Sequence, residues 1–417
     1  MVRIVDRSRL TELTLQGEAT RFAFRGSPDE IPADARTEIV VSDVLDLAAL
    51  ETKWRDLETR SNPSFFQSWT WTGCLAEERF PNPVLVEARE NGRTVALALF
   101  NRRGQTFYLG ESGDPELDCI YIEFNGVLAE AGLESRLTTA CLGAVRAWSG
   151  IGRSGTGWSD TGLARIWRRR LVLSGISSAA AISAEEIGAV RRTRSLAAPF
   201  VDVVESDDRF LASRGTNTRH QLRRSNRGYA ATGAVTIDRA DTLALAYEYL
   251  DGLEVLHQAS WAARERVGAF AKPFFGRFHR ALIARGLGRG EIDLFRIAAG
   301  PQTVGFLYNF RYRERSLAYQ SGFDYAGAGR HEKPGLTCHH MAIRFAARWG
   351  AARYDFLAGD DRYKRSLSDR ADHLHWIEVA SPYSPGFLAR RVRDFVTSRA
   401  RMAPRVVGSG PRTGSAD

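Results

Sequence analysis

The same pattern of hydrophobic and polar positions occurs twice in the chain. The two copies are 209 residues apart, so that Phe65 corresponds to Phe274. Each copy opens with a segment, 65–80 or 274–288, whose apolar residues recur at helical spacing. Three β-rich runs follow in each copy, at 84–89, 94–100 and 106–110 and again at 292–298, 303–310 and 316–322. Because a short Gly-containing turn joins the first two runs of each copy, these runs predict a hairpin. We therefore predict an α/β protein built from two related units, each a mixed central sheet with flanking helices.

The repeat and the composition of its flanks predict four segments. They are an irregular lead-in over 1–37, a first unit over 38–200, a second unit over 201–390, and a helix end with a disordered tail over 391–417. Gly26, Pro28 and Pro32 interrupt the lead-in, and Gly, Pro and Ser dominate the tail.

The two copies differ after their third β-rich run. The second copy continues with a glycine-rich loop, a helix that begins near Pro334 and ends at Gly350, and a strand over 353–359. This order is a crossover connection whose helix N-terminus faces the loop, an arrangement suited to anions. The first copy instead has glycines scattered over 150–162, which predicts that its ligand loop has been remodelled or lost.

Composition limits the class of protein. With 417 residues, 44% apolar and 26% charged, the chain is long enough for two or three domains and unlike a disordered or collagen-like protein. No apolar run reaches the roughly 18 residues of a membrane span, the N-terminus lacks a signal-peptide pattern, and the four cysteines are widely spaced. We therefore predict a cytoplasmic protein with reduced, buried thiols.

The net charge of +9 favours polyanionic partners such as nucleotides, phosphorylated sugars or RNA. Only four of the 58 cations are lysines, however, a skew that a coding bias also explains. The chain contains no groove-reading motif and no RNA-module signature, so a DNA partner is not expected.

The glycine-rich loop is the candidate binding site for a phosphate group. Glycines allow backbone N–H groups to approach an anion, and the helix dipole and nearby cations add attraction. The residues assigned to cofactor binding are Gly322, Gly327, Gly329, Arg330, Lys333 and Gly335. A flexible surface turn is the alternative interpretation.

A second polar cluster follows the strand that ends near Gly359. It combines carboxylates at Asp355 and Asp360 with Tyr363 and Lys364, at the strand end where α/β proteins usually bind ligands. A lysine ammonium can stabilise an oxyanion, and a phenol can return a proton to a leaving group. A solvated polar loop is the alternative here.

Two further sets are candidates for substrate binding. Arg219, Arg223 and Arg227 lie four residues apart and form one cationic stripe on a predicted helix. The stripe is suited to clamp a phosphorylated or nucleotide substrate. A solvated helix face, or a contact surface against the other unit, is the alternative. Gln67 and Trp71 lie near the junction of the units and either line a sugar site or pack in the core.

Cysteine and histidine patterns predict structure rather than metal binding. Cys338, His339 and His340 are consecutive on a helix and cannot all face one metal ion. His373 and His375 alternate on a predicted strand. We therefore expect no metal site.

Together these residues resemble the GNAT acyltransferase superfamily, in the branch of the CelD/BcsL cellulose-biosynthesis acetyltransferases that is related to the FemAB peptidyltransferases. The resemblance covers roughly residues 38–385 and is strongest at Tyr354-Asp-Phe-Leu-x-Gly-Asp-x-x-Tyr-Lys364. Supporting features are Phe66-Gln-Ser with Trp71, the Arg-rich helix from Arg219, and Pro334-Gly at a helix start. The branch has tandem GNAT-like units, in agreement with the repeat.

The resemblance implies that two parallel strands, 316–322 and 353–359, splay apart and admit an acyl donor, usually acetyl-CoA. It places the donor pyrophosphate at the loop before the crossover helix and Lys364 near the reacting carbonyl. Asp324 stands where the GNAT pyrophosphate signature begins with Gln or Arg.

In such a reaction the acyl group would pass directly from the thioester to an amine. Because an ammonium cannot attack, Asp360 or Asp355 is expected to remove its proton. Backbone N–H groups of the splayed strand and Lys364 would hold the oxyanion, and Tyr363 would protonate the departing thiolate.

Three hypotheses of function follow. The first is an N-acyltransferase, most simply an N-acetyltransferase, that uses acyl-CoA to modify an amino sugar or a precursor of a polysaccharide. The second is a FemAB-like transferase that uses aminoacyl-tRNA, which the basic surface permits. The third is a regulatory protein of an exopolysaccharide pathway that binds a cyclic dinucleotide through the stripe of Arg219, Arg223 and Arg227.

Overall fold

The computed structural model describes residues 10–16, 19–24, 37–44, 46–148, 169–359, 361–390 and 392–393. Its α-helices are α1 Leu47–Thr59, α2 Trp69–Glu78, α3 Glu134–Ala147, α4 Ser178–Ile187, α5 Asp207–Ser213, α6 Thr216–Thr232, α7 Leu243–Ala262, α8 Pro273–Gly286, α9 Pro334–Arg348 and α10 Arg362–Leu367. Its strands are β1 Leu10–Gln16, β2 Ala19–Phe24, β3 Thr37–Asp43, β4 Pro83–Glu90, β5 Arg93–Arg103, β6 Thr106–Leu109, β7 Leu128–Ala129, β8 Arg170–Ser177, β9 Ala189–Asp202, β10 Val235–Arg239, β11 Ile292–Ala299, β12 Gln302–Tyr312, β13 Arg315–Phe323, β14 Arg353–Asp355 and β15 Arg370–Ala380.

These strands join one mixed sheet. Its order is β1-β2-β3-β4-β5-β6-β8-β15-β9-β14-β13-β12-β11-β10, with β7 paired to β5. Two neighbouring pairs in this order are parallel, β6 with β8 and β13 with β14. They lie at equivalent places on either side of the central pair β15 and β9, so the sheet has a pseudo-twofold order.

The backbone confirms the repeat. The offset of 209 residues places the β4–β5 hairpin on the β11–β12 hairpin, with matching strand ends. Both hairpins carry a register shift at the same point, between Ala88 and Arg89 and between Ile297 and Ala298. A bulge at matched positions is a feature of the backbone path, beyond what a shared hydrophobic pattern provides. The predicted tandem α/β architecture is therefore confirmed.

The last strand of each half lies in the sheet of the other half, taking residues up to 202 as the N-terminal half and the rest as the C-terminal half. β9 ends the N-terminal half but pairs antiparallel with β14. β15 ends the C-terminal half but pairs antiparallel with β8. The predicted boundary at 200/201 therefore falls inside an exchanged strand, where no linker separates the halves.

A shared aromatic core joins the two halves. Phe65 stacks on Phe310 with ring centroids 4.1 Å apart, and Trp71 meets Phe278 edge-on at 5.5 Å. All four rings are buried, and burying one large apolar side chain stabilises a fold by about 1.5–3 kcal/mol. This core fixes the relative position of the two halves. A site formed by residues of both halves would depend on that fixed position.

The N-terminal segment differs from its prediction. Within the predicted irregular lead-in, β1 and β2 form an antiparallel hairpin that continues the sheet from β3. The alternate positions Leu13 and Leu15, and again Phe22 and Phe24, are apolar and favour these strands, and Phe22 is buried. The glycine and prolines that suggested irregularity, like the glycines of 150–162 and the tail from 394, lie outside the described residues.

The four cysteines are free thiols. Cys74, Cys141 and Cys338 are buried as predicted, and burial raises the pKa of Cys74 to about 12. Cys119 differs from the prediction because it lies in a cavity wall and is only partly buried.

Candidate active site

A wedge opens between β13 and β14. The two strands pair in parallel over only three positions, Arg315–Leu317 with Arg353–Asp355. Beyond them Leu357 and Gly359 adopt positive φ angles of 59° and 132°, which turn the chain away from β13 and end the ladder. A positive φ at a residue such as leucine is strained, and such strain is concentrated at functional sites. The strands thus splay as the resemblance implied.

The wedge widens into a cavity of about 1220 Å³. One wall consists of β13, the turn after β14, α10, the end of α7 with the segment that follows it to Lys272, and the first turns of α6 and α9. The facing wall consists of segment 118–123 of the N-terminal half and parts of the exchanged strands β9 and β15. Small-molecule pockets typically measure ~300–1,000 Å³, so this cavity has room for a donor and an acceptor together.

The equivalent wedge of the N-terminal half, between β6 and β8, is filled by the chain itself. Asn125 lies between the two strands, where its side chain donates to the carbonyl oxygens of Leu109 at 3.0 Å and Ser174 at 3.2 Å. Its backbone N–H donates to the carbonyl oxygen of Gly175 at 2.9 Å. The N-terminal copy has therefore kept the splayed strands and closed the space between them.

Lys364 lies on α10 in the cavity wall, close to the end of the wedge. Its side chain is buried, and its ammonium donates to the carbonyl oxygens of Leu357 at 3.3 Å and Ala358 at 2.8 Å. Burial lowers the pKa of Lys364, while the carboxylates of Glu123 and Asp361 act in the opposite direction. A buried ammonium in this position can stabilise negative charge that develops on a nearby oxygen.

Tyr363 and His339 form a stacked pair in the same wall, with ring centroids 5.0 Å apart and an interplanar angle of 11°. Burial raises the pKa of Tyr363, so its phenol stays protonated at neutral pH. Burial lowers the pKa of His339 to about 3, so its imidazole is neutral, and its Nδ1 lies 3.0 Å from the Tyr354 hydroxyl. A phenol that holds its proton this firmly acts more readily as a hydrogen-bond donor than as an acid. This alters the role expected of Tyr363.

Glu123 is a titratable cavity residue that was not among the predicted site residues. It is 7% exposed, and its Oε2 accepts a hydrogen bond of 2.5 Å from the backbone N–H of Ala358. Burial raises the pKa of Glu123 to about 7, against the opposing effects of Lys364 and of that N–H. A lone carboxylate inside the apolar run Ile120-Tyr-Ile-Glu-Phe124 is the signal that could have found it, because a buried glutamate needs a partner.

Asp355 is not in the cavity wall. One of its carboxylate oxygens accepts from Arg353 at 2.6 and 2.9 Å, and the other accepts from Arg315 at 2.8 and 2.9 Å. A buried carboxylate held by two guanidinium groups is an ion pair that stabilises the strand end, which argues against the base role expected of Asp355. The other expected base, Asp360, lies outside the described residues.

The glycine-rich loop does not present a phosphate cradle. The N–H of Gly327 donates to the Asp324 carboxylate at 2.8 Å, and the N–H of Gly329 donates to Glu332 at 2.7 Å. These carboxylates occupy the donors that an anion would need and repel it as well. Arg330 is exposed and outside the cavity wall. The loop is therefore closed by its own acidic side chains, a correction to the role expected of Gly327, Gly329 and Arg330.

Of the remaining three residues assigned to cofactor binding, one has a packing role and two line the cavity. Gly322 allows β13 to pack on α7, because a Cβ there would lie 2.3 Å from the carbonyl oxygen of Leu253. Lys333 and Gly335 line the cavity at the start of α9, where no side chain caps the helix. Free N–H groups of a first helical turn and a lysine beside them attract an anion. The start of α9 is thus better suited to an anion than the loop is.

Gln67 and Trp71 are structural residues. Gln67 accepts from the backbone N–H of Ser64 and donates to the carbonyl oxygen of Val127, both at 3.0 Å. Trp71 is fully buried in the shared aromatic core. Neither residue lines the cavity. Gln67 caps a turn and Trp71 packs in the core, so the sugar site considered for them is not formed by these residues.

The arginine stripe lies on α6 as predicted, but outside the cavity wall. Arg219 donates to the carbonyl oxygen of Ala212 at 3.3 Å, while Arg223 and Arg227 are exposed. The residues of α6 that do line the cavity are Asn217, Thr218 and Gln221. The stripe therefore runs along the protein surface, away from a first turn that faces the cavity.

The histidines take the places predicted for them. His339 and His340 lie with Cys338 on α9, and His373 and His375 lie on β15. Within the described ranges, no three His, Cys, Asp or Glu side chains cluster as metal ligands. In the same part of the chain, none of the helices combines a bilayer-spanning length with sufficient apolarity.

The part of the chain that contains the wedge is similar to a known domain family. Residues 216–365 match a family model described as an acetyltransferase (GNAT) domain. The matched segment contains α6, both wedge strands and most of α10, including Lys364. No curated protein matches the sequence of the chain.

Solved structures share the overall architecture. The crystal structure of FemX aligns over 80% of this chain and 96% of its own, with a TM-score of 0.51 at 10% identity. A conserved protein of unknown function from Bacteroides thetaiotaomicron aligns over 81% and 98%, with a TM-score of 0.50 at 11% identity. At these identities the likeness concerns the fold alone. The chain thus shares its fold with FemX, and its residues 216–365 are similar to the acetyltransferase (GNAT) domain family.

Proposed function

We propose that the protein is an acyltransferase that moves an acyl group from a thioester, most simply acetyl-CoA, to an amine. The open wedge between β13 and β14, with the buried ammonium of Lys364 in its wall, is the observation that carries the proposal. The acetyltransferase domain match over the same segment supports it.

The wedge suits a long, amide-bearing donor. Beyond Leu317, β13 has no strand partner on the side of β14 in the described sheet. Its free backbone groups can bond to an extended arm in the way that they would bond to another strand. In the proposed reaction the amine nitrogen attacks the carbonyl carbon, the C–S bond breaks and the thiolate leaves. Lys364 is the cation that stabilises the oxyanion formed between these steps.

For the acceptor, we propose an amino sugar or another precursor of an exopolysaccharide or cellulose-type polymer. The resemblance to the CelD/BcsL branch is the main support. The facing wall also contains Trp376, an aromatic surface suited to a sugar ring, with the Arg194 guanidinium 5.0 Å from the ring centroid.

An aminoacyl-tRNA donor is the second candidate. It is favoured by the stripe of Arg219, Arg223 and Arg227, which lies on the surface of α6 outside the cavity wall and would meet the phosphates of a large polyanion. Binding of a cyclic dinucleotide by the same stripe, without catalysis, is the third.

Calorimetry on the wild type and on Ala318→Trp tests the proposal. Ala318 lines the cavity directly beyond the last paired position of β13, so an indole there fills the wedge. We expect the affinity for acetyl-CoA to fall at least tenfold, about 1.4 kcal/mol. Ala231→Trp, at an exposed position in the last turn of α6, is the matched control and should bind normally.

Two results would contradict the proposal. One is acetyl-CoA binding that the indole at position 318 leaves unchanged. The other is binding of charged tRNA or a cyclic dinucleotide in place of acetyl-CoA. A steep salt dependence would identify the tRNA case.

A further inference from the structure

Glu123 belongs to the N-terminal half, yet its carboxylate lies in the wall of the cavity that opens from the wedge of the C-terminal half. Building on the proposed acyl transfer, we infer that Glu123 takes the proton from the attacking amine, so that both halves of the chain form one active site. The reaction needs such a group because an ammonium has no lone pair with which to attack.

The filled wedge of the N-terminal half holds Glu123 in place. A Cβ at Gly175 would lie 2.1 Å from the carbonyl oxygen of Ile122, so the chain passes tightly against β8 at this point. On the other side Asn125 is bonded between the strands. With its neighbours fixed, Glu123 reaches the opposite wall, where the N–H of Ala358 donates to it at 2.5 Å. A carboxylate held at a defined point is what a general base requires.

The electrostatic surroundings keep Glu123 able to exchange a proton near neutral pH. Burial raises its pKa to about 7, and the Lys364 ammonium and the Ala358 N–H limit the rise. The other titratable groups that interact with it are Asp355, Arg194, Tyr121 and Tyr319. A base whose pKa lies near the working pH is the most effective, because it is available as carboxylate and still basic.

Two of the other three described carboxylates in the cavity wall are less suited to this role. Asp118 accepts hydrogen bonds from Arg79 and from two backbone N–H groups. Asp361 is exposed at the start of α10. Glu111 lines the cavity, and burial raises its pKa as well, which makes it the matched control for Glu123.

The proton balance is simple. One proton of the ammonium passes to the Glu123 carboxylate while the nitrogen lone pair attacks the carbonyl carbon. The C–S bond breaks and the thiolate leaves with the electron pair. The nitrogen loses a second proton as the amide forms, and this proton passes to the thiolate to give the thiol. The proton held by Glu123 passes to solvent, which restores the carboxylate.

Glu123→Gln, assayed with acetyl-CoA and two acceptors of similar size, tests the inference. Ethylamine is an ammonium at pH 7, whereas trifluoroethylamine is largely neutral and needs little help from a base. We expect kcat/KM for ethylamine to fall ~10²-fold or more, while trifluoroethylamine keeps most of its rate. Glutamine can still accept a hydrogen bond from Ala358, so a purely structural role predicts equal effects on both amines.

Further measurements make the test decisive. With ethylamine, the wild-type rate should rise with pH through about 7, where Glu123 loses its proton, and this limb should vanish in Glu123→Gln. Should that variant not fold, the pH profiles of the wild type decide, because the rise of rate with pH should appear with ethylamine and be weak with trifluoroethylamine.

Equal losses with both amines, or an acceptor-dependent loss in Glu111→Gln instead, would overturn the inference. Absence of transfer to either amine by the wild type, together with absence of acetyl-CoA binding in the calorimetry, would refute the proposed function itself and the inference with it.

Discussion

Lys364 and Glu123 carry opposite charges in one cavity, and each shifts the pKa of the other. Burial pushes both towards their neutral forms, while Lys364 lowers the pKa of Glu123 and Glu123 raises that of Lys364. Neither side chain can therefore be changed without altering the protonation of the other. This coupling can be tested by a shift in the pH dependence of the rate, which is more specific than a loss of activity.

Lys364→Met keeps the apolar stem and removes the ammonium. We expect kcat to fall ~10²- to 10³-fold, the usual effect of losing one oxyanion donor. Because the ammonium also lowers the pKa of Glu123, the rise of rate with pH should move to higher pH in this variant. Steady-state rates between pH 5.5 and 9 measure both effects. Lys53→Met, which removes a lysine paired with Glu87, is the control, and an unmoved midpoint in Lys364→Met would refute the coupling.

Residues of the site were predictable from the sequence only where the functional groups lie close together along the chain. Tyr363 and Lys364 follow a strand end within one short motif, and both line the cavity. Glu123 lies far away in the sequence, and no local pattern specifies which wall a distant carboxylate meets. Asp355 failed as a base because its two arginines, at 315 and 353, satisfy it through tertiary contacts that spacing does not show.

At the scale of elements, the two wedges show how one backbone plan supports opposite outcomes. Both halves have a parallel strand pair that pairs briefly and then separates. In one half the space stays open, and in the other the segment around Asn125 occupies it. The strands were predictable from period-two patterns and Gly turns. The closure of the N-terminal wedge by Asn125 was not predictable, because it depends on hydrogen bonds between an irregular segment and two strand ends.

Asn125→Ala tests the link between the filled wedge and the open one. The variant leaves the carbonyl oxygens of Leu109 and Ser174 without their side-chain donor, so we expect the free energy of unfolding to fall by about 1–3 kcal/mol. Catalytic rate should fall as well, because Glu123 loses its anchor. Urea denaturation and kcat measure the two effects. Asn82→Ala, at an exposed turn, should stay within about 0.5 kcal/mol of the wild type, and a fully active Asn125→Ala would show that the anchor is dispensable.

At the scale of the molecule, the exchange of β9 and β15 lay beyond any sequence pattern. A strand satisfies the same hydrogen bonds and buries the same alternating face whether its neighbour belongs to its own half or to the other. Periodicity therefore predicted that these strands exist and that the sheet is mixed. Only the packing of the whole chain decides where they lie.

The shared core makes the whole fold sensitive to acid. His279 is fully buried among Phe275, Tyr308 and Tyr319, and burial lowers its pKa to about 3. Between about pH 6.5 and 3 the unfolded chain binds a proton at this position that the folded chain does not. The folded state therefore loses about 1.4 kcal/mol per pH unit as the pH falls through this window.

His279→Phe removes this titrating group. Relative to the wild type, we expect the variant to gain about 1.4 kcal/mol of stability for each pH unit between 6 and 4. Urea denaturation at several pH values measures the difference. His220→Phe, at an exposed position of α6, should keep the wild-type slope, and parallel curves for the wild type and His279→Phe would contradict the assignment.

A sheet whose halves trade their final strands has the layout of a twofold dimer with its two subunits joined end to end. In a dimer of identical subunits every substitution appears twice, so neither cleft can change without the other. Fusion into one polypeptide removes that constraint. One half can then lose its own cleft and contribute residues to the cleft of the other half. An asymmetric enzyme can arise in this way from a symmetric ancestor.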